Sequence, residues 1–515
     1  MQSILKTTLL LSLCIQIAFT IETKRAFAAE DHDASAQPNV LFISIDDLND
    51  HVGFLQGYPG TMITPNMDRL AAMGVAFTNA HCAAPICNTS RTATMFGVRA
   101  STSGVYANNH RYRESPVLKN ALTLPQYLRT QHGYSAQGAG KIFHALEWAK
   151  GESDGINDPA SWDDFWPSME RQMPHRVVPN NMPLARGHNG DVGKARGAMR
   201  FMDWGPIGHP AESMPDHKVT NWAIEQFSRK HDKPFFLACG IFRPHIPWYV
   251  PQEYLDMYPL DKIIVPENSD GWLNQLPASI RNNPFAGAAR RPWHRWIAES
   301  GEWKNAIQGY LASVTFADAQ VGRLLDAFEA SAYKDNTIIV LWSDHGAHLG
   351  DKGTWEKYSL WHESTRVPLI IVAPGITKPG TVCKQPASLL DIYPTLLELL
   401  DIPKPGGQLE GISLLPQLKN PETPKEPAVC THGRNNHAVI TAMHRYIRYA
   451  NGAEELYDFT RDPGEWNNLA REPDAGKTIE TLSKYLPTVN NEFFQVPKRA
   501  LGANRRLSDQ KPRAK

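Results

Sequence analysis

Cysteine is scarce in this chain, with six among 515 residues: Cys14, Cys82, Cys87, Cys239, Cys383 and Cys430. That scarcity excludes a disulfide framework as the main support of the fold. Net charge is missing as well, because 53 basic side chains cancel 53 acidic ones. No global field therefore recruits nucleic acid or an anionic membrane, and a positive site for an anion has to be local. No internal repeat is present. Long apolar runs are absent too: the uncharged N-terminal stretch, Thr7 to Ile21, is broken by Gln16 and falls short of the ~20 residues of a spanning helix. Stable membrane insertion is not expected. What remains is ordinary globular composition, 42% hydrophobic and 21% charged, enough to bury a sizeable core.

The N-terminus has Lys6, then the uncharged stretch, then Ala26-Phe27-Ala28, the small-x-small pattern that signal peptidase cuts. Residues 1–28 are read as a signal peptide and the protein as exported, to the periplasm or the medium. Cys14 leaves with the signal. Five cysteines remain, and the odd number suggests that one serves another purpose.

Residues 37–410 read as one α/β domain. The segments Asn39 to Ile45, Pro234 to Ile241 and Thr337 to Trp342 are continuous apolar runs of strand length, the pattern of strands buried on both faces of a parallel sheet. Helical patterns cover Pro65 to Met73 and Ala306 to Ser331, so the expectation is a doubly wound, mostly parallel central sheet flanked by helices. Residues 146–215 and 266–305 show little periodicity and read as long insertions that build a binding surface. From residue 411 to 500 a smaller α+β subdomain is expected. Its strands are His437 to Met443 and Tyr446 to Tyr449, followed by a turn-rich segment Glu455 to Pro463 and a helix near Gly476 to Tyr485. Residues 501–515 are polar and basic and read as a disordered tail.

Two of the buried strands end abruptly in acidic residues, Asp46-Asp47 and Ser343-Asp344-His345. Ligands bind at that carboxyl edge of an α/β sheet. Clustered carboxylates repel one another unless a cation neutralises them, and Ca²⁺ or Mg²⁺ suits such oxygen donors. Cys87, taken alone, reads as readily as a structural residue, a buried thiol or half of a disulfide with Cys82 five residues away, as it does as a functional one.

The run Cys87-Asn-Thr-Ser-Arg91, continuing to Gly97, resembles the signature of the formylglycine-dependent sulfatases of the alkaline phosphatase superfamily. Thr89 stands where that signature has Pro or Ala. Further matches are Ser44-Ile-Asp-Asp-Leu48, Gly140-Lys-Ile-Phe-His144, Arg243-Pro-His-Ile-Pro247, Ser343-Asp-His-Gly346, Trp355-Glu-Lys357, Arg366-Val-Pro368 and Glu455-Leu-Tyr-Asp458. They bring the chain nearest to the branch that contains iduronate-2-sulfatase.

The resemblance implies a sulfuric ester hydrolase acting on a sulfated carbohydrate, with Cys87 oxidised by a formylglycine-generating enzyme. It implies a metal, Ca²⁺ with Mg²⁺ as rival, held by Asp46, Asp47, Asp344, His345 and the modified Cys87. Lys141, Lys357 and Arg91 would gather the sulfate's charge, which grows on its oxygens during attack. His144 would lie beside the modified residue, and His245 on the leaving-group side as the acid, a role Lys357 could share. Tyr106, His110, Arg243, Trp248 and His348 are nearby candidates, Trp248 equally a core residue or a sugar platform. Two other readings keep the residues: a phosphonate or phosphodiester hydrolase, or a non-catalytic binder of sulfated glycans if Cys87 stays a thiol.

Overall fold

The computed structural model describes residues 37–144, 158–166, 202–266 and 272–493. The expected signal and basic tail lie outside the described residues, as does much of 146–215.

The apolar run from Asn39 forms strand β1 (Asn39–Ile45), in which every residue is buried. A strand without a polar face is satisfied only in a sheet covered on both sides, and β1 sits near the middle of one. Seven strands join it: β2 (Val75–Phe77), β3 (Ser135–Gly140), β4 (Asp164–Trp166), β5 (Phe235–Ile241), β6 (Thr337–Ser343), β7 (Leu369–Val372) and β8 (Thr381–Cys383). Their spatial order is β8-β2-β7-β6-β1-β5-β3-β4. From β6 to β4 all neighbours are parallel, while β7 runs antiparallel to β6 and to β2.

Alternation along β1 splits the core in two. Val40 and Phe42 pack with residues of helices Cys87–Phe96, Leu124–Gln131 and Ile392–Leu399. Leu41, Ile43 and Ile45 pack with helices Pro65–Met73, Pro215–Phe227 and Trp303–Glu329. This is the doubly wound α/β arrangement expected from the sequence. Ile45 lies opposite both Ile241 and Ser343, so β1, β5 and β6 end level and release Asp46, Phe242 and Asp344 side by side.

A second, antiparallel sheet follows: β9 (Ala428–Thr431), β10 (His437–Ile440), β11 (His444–Arg448) and β12 (Glu454–Asp458), in that order. One face (Cys430, Ala438, Ile447, Tyr457) joins the main core. The other (Val429, Val439, Tyr446, Leu456) packs on Ala475 and Leu482 of helix Ala475–Ser483.

Three expectations need correction. The segment read as turns from Glu455 begins as β12, because Glu455 is fully buried, receiving hydrogen bonds from Trp361 (2.9 Å) and Tyr449 (2.6 Å). A charged residue at an inward position conceals the alternation. Residues 146–215 supply the edge strand β4, too short to show a period. Residues 266–305 contain helix Arg291–Glu299, whose Trp293, Trp296 and Ile297 stand at the i, i+3, i+4 spacing of one apolar face, a signal that could have been followed. No helix among the described residues is long and apolar enough to cross a membrane.

The small sheet carries a pH sensitivity. His432 and His437 are buried, and burial pushes each down to about 4, for His437 against the opposing hydrogen bond to Asn490. Both stay neutral when folded but protonate near 6.5 once unfolded. Their stabilising contribution is therefore complete above 6.5 and is lost as pH falls toward 4, by about 1.4 kcal/mol per unit for each. Thermal melts should drop between pH 6.5 and 4.5, and less steeply in His432→Gln. Parallel curves for the two proteins would rule this out.

Candidate active site

After Ile45 the chain turns sharply, with Asp47 at φ 60°, a left-handed conformation that Asp tolerates better than most residues. Its amide donates to Asp344 Oδ1 (3.1 Å) and its carbonyl accepts from the Tyr310 hydroxyl (2.9 Å). In a continuing strand, adjacent side chains would point to opposite faces. The turn instead sends the carboxylates of Asp46 and Asp47 into one site.

Cys87 is the first residue of helix Cys87–Phe96, entered from extended Ile86 with no side-chain cap. Open amides and the helix dipole at such an end favour an anion. The helix stops at Gly97, φ 67°, whose amide bonds the Ala93 carbonyl. A side chain there would meet Leu409 at 2.4 Å, so the glycine ten residues after Cys87 has a steric reason. Lys141 is placed by a similar close approach. A Cβ on Gly140 would lie 2.0 Å from the Gly240 carbonyl, and the bare backbones let the Lys141 amide donate to that oxygen at 3.0 Å.

Arg91, one turn after Cys87, ties the elements together with no exposed surface. Its guanidinium donates to Asp344 Oδ2 (2.8 Å), Asp46 Oδ1 (3.0 Å), Ser44 Oγ (2.8 Å) and the Ile142 carbonyl (3.1 Å), as well as to the Lys141 carbonyl. Lys141 pairs with Asp46. Lys357 Nζ lies 2.7 Å from Asp47 Oδ1 and 3.2 Å from Cys87 Sγ. His345 Nε2 lies 3.3 Å from Cys87 Sγ and 3.3 Å from Asp47 Oδ1. His144 hydrogen-bonds the Cys87 thiol, and His245 Nε2 is 4.0 Å from Asp47 Oδ2.

These charges act on each other in a buried site in which His144 and His245 keep some exposure. Burial would raise the Cys87 thiol, but Lys141, Lys357, His345 and the bond to His144 outweigh it and hold the group well below the usual thiol range. Asp344 is pushed up to about 6 by burial, with Arg91 and His345 opposing. His245 is raised, because the Asp47 carboxylate outweighs burial.

Three carboxylates thus converge with an imidazole whose Nδ1 donates to the Gly346 carbonyl (3.0 Å), which turns Nε2 toward Cys87 and the carboxylates of Asp47 and Asp344. The ligand atoms of Asp46, Cys87, Asp344 and His345 all lie within 4.8 Å of one another. An oxygen-rich donor set of this kind fits a hard divalent cation.

The other candidates stand apart. Trp248 is core: its indole donates to the Pro244 carbonyl (2.7 Å) and its ring packs on Trp204, Tyr310 and Trp355. Arg243 donates to the carbonyls of His245 (2.9 Å) and Tyr249 (3.1 Å), holding the loop that carries His245. His348 bonds Asp351 (2.5 Å) and Ser359 (2.7 Å) in a buried network of its own. The His110 carbonyl accepts from Asn88 (2.8 Å), and the Tyr106 hydroxyl donates to Asn491 O (2.9 Å), bracing the loop beside Cys87.

Sequence reasoning missed Ser44 as a partner of Arg91, Tyr310 as the clamp on Asp47, and Asp50, which pairs with Arg366 (2.9 Å) and His362 (3.1 Å). Tyr310 sits among apolar neighbours on a long helix, where nothing local distinguishes it. Asp50, only four residues after Asp46, carried a signal that could have been followed.

Residues 38–402 match the family described as Sulfatase, and residues 350–492 match the one described as N-sulphoglucosamine sulphohydrolase, C-terminal. A protein from Formosa agariphila named Sulfatase is 40% identical over 492 residues, covering 94% of this chain and 92% of its own. Human iduronate 2-sulfatase is 32% identical, covering 74% of this chain and 68% of its own. Among solved structures, the phosphonate monoester hydrolase of Agrobacterium radiobacter superposes with a TM-score of 0.68 at 21% identity, covering 87% of this chain and 95% of the other. At that identity the likeness concerns the fold.

Proposed function

This chain belongs to the sulfatase family, and on that basis we propose that it removes a sulfate ester from a carbohydrate through a formylglycine made from Cys87. It is a sulfuric ester hydrolase of the alkaline phosphatase superfamily. The observation that carries the finer reading is the setting of the Cys87 sulfur: at a buried helix N-terminus, 3.2 Å from Lys357 and 3.3 Å from His345, with three carboxylates alongside.

Asp46, Asp47, Asp344 and His345 would hold Ca²⁺, or Mg²⁺ as its rival, together with residue 87. Such a cation supplies positive charge for the ester oxygens and lowers the pKa of a hydroxyl beside it. A hydrated aldehyde at residue 87 supplies two geminal hydroxyls, one to attack sulfur and one whose deprotonation then expels sulfate. The chain's own side chains do the rest. Lys141 and Lys357 draw the anionic sulfate in and stabilise charge as it builds on the oxygens. Arg91 fixes Asp46 and Asp344 through its planar donors. His144, bonded to residue 87, takes a proton from it. His245, raised by Asp47, gives a proton to the departing sugar oxygen, with Lys357 in reach to share that work.

The relative named iduronate 2-sulfatase favours an O-sulfated uronic acid or a related glycan as the substrate class. Export after removal of residues 1–28, and maturation by a formylglycine-generating enzyme, belong to the same proposal. Matched aryl sulfate and aryl phosphodiester assays test the bond cleaved, with kcat/KM expected to favour the sulfate by about 100-fold or more. The reverse preference would assign the phosphodiester reading instead. A panel of defined sulfated oligosaccharides tests the sugar, and no sulfate release from any of them would remove that part.

A further inference from the structure

Two cysteines outside the catalytic cluster meet in the core. Cys82 and Cys430, 348 residues apart, place their sulfurs 3.8 Å from each other. Both side chains have no exposed surface and belong to the main core cluster. Their backbones are held in register. The Thr431 amide, next to Cys430, donates to the Ala83 carbonyl, next to Cys82, at 2.9 Å. The Cys82 amide donates to the Thr365 carbonyl at 2.8 Å, and Cys430 pairs with Ala438 across β9 and β10. Apart from each other, the Cys82 thiol has only the Ser364 carbonyl at 3.7 Å. The remaining described cysteines engage elsewhere: Cys239 with Thr220, Cys383 with the Pro421 carbonyl at 3.4 Å. Cys87 faces Lys357 and His345, so the neighbour in sequence is not the neighbour in space.

We propose that Cys82 and Cys430 form a disulfide in the mature protein, fastening the segment that leads into the Cys87 helix to the small C-terminal sheet. The inference rests on the export reading, because disulfides persist in oxidising compartments. Two S–H bonds break and one S–S bond forms, and the two electrons and two protons pass to the disulfide of an exported dithiol oxidase, which becomes a dithiol. Bond formation brings the sulfurs from 3.8 Å to the ~2.05 Å of the bond. Burial, with the Cys430 thiol beside it, pushes the Cys82 thiol well above its usual range. Since the thiolate is the attacking species, the bond forms before the core closes and is shielded from reductant afterwards. Pairing Cys82 with Cys430 also keeps it away from Cys87, five residues on, whose thiol is needed for another fate.

The test is a peptide map of the full chain sent to the periplasm by a standard signal sequence, which separates this inference from the native signal's performance. The protein is purified without reductant, unfolded in iodoacetamide and digested with trypsin. The expected result is a linked pair, Leu70–Arg91 with Glu426–Arg434, that separates on reduction, with Cys239 and Cys383 recovered alkylated. Because the first peptide holds both Cys82 and Cys87, the map is repeated on two variants. The link should survive in Cys87→Ser and vanish in Cys82→Ser. Recovery of Cys82 and Cys430 both alkylated without reduction would overturn the proposal, as would a link that persists in Cys82→Ser. As a second readout, Cys430→Ser should melt about 5–10 °C lower, the loss of a constraint closing a very long loop. An unchanged melting temperature would count against it.

Discussion

Cys87→Ala is expected to abolish steady-state hydrolysis of sulfate esters, by a factor of at least ~10⁴, the scale seen when a covalent catalyst is removed. The fold should survive, because the substitution removes one sulfur from a site whose scaffold is Arg91, Asp46 and Asp344. Circular dichroism and melting temperature should stay close to those of the parent. Cys87→Ser is the sharper variant. A serine can attack sulfur once, but the resulting ester has no second hydroxyl on the same carbon to expel the sulfate. It should therefore release at most one equivalent of leaving alcohol per active site and then stop. Turnover in Cys87→Ala within about tenfold of the parent would mean that the chemistry lies elsewhere.

Arg91→Met should damage folding as well as activity. Arg91, Asp46 and Asp344 are all fully buried, and the guanidinium also satisfies Ser44 and two backbone carbonyls. Methionine fills much of the volume but takes the guanidinium from two buried carboxylates, leaving Asp46 only Lys141 and Asp344 only the Asp47 amide and His345. Breaking a buried pair from one side costs about 3–5 kcal/mol, and here two pairs break together. The expected outcome is a melting temperature lower by roughly 10 °C and no measurable activity. Arg461, whose side chain is 86% exposed beside Asp458, supplies the contrast. Arg461→Met should change stability by no more than about 0.5 kcal/mol. Equal effects at the two positions would show that the Arg91 network does not hold the site together.

Much of this site could be read before any coordinates existed, because the residues involved break the patterns around them. Asp46 and Asp344 follow strand-length runs that are mainly apolar and carry no charge, so a strand buried on both faces and its chemical edge were visible at once. Gly97 and Gly140 were legible as positions and gained their reasons, a left-handed helix end and a close strand approach, only from the packing. Contacts made at long range by residues of common type were not legible. Tyr310 reaches the Asp47 carbonyl from a helix more than 260 positions away, and nothing in its local surroundings sets it apart from a core tyrosine. Trp248 shows the reverse. Its place beside the His245 motif made it look available to a sugar, yet the ring is enclosed by three other aromatic residues. Strand β4 was hidden for a simpler reason, since an element of three residues carries too little periodic signal.

The most direct measurement is the mass and reactivity of residue 87 in enzyme produced alongside a competent formylglycine-generating enzyme. In preparations that hydrolyse aryl sulfate, the peptide Leu70–Arg91 should carry an aldehyde at residue 87, lighter than cysteine and captured by a hydrazide probe. Full hydrolytic activity in a preparation whose residue 87 is entirely an alkylatable thiol would contradict the account.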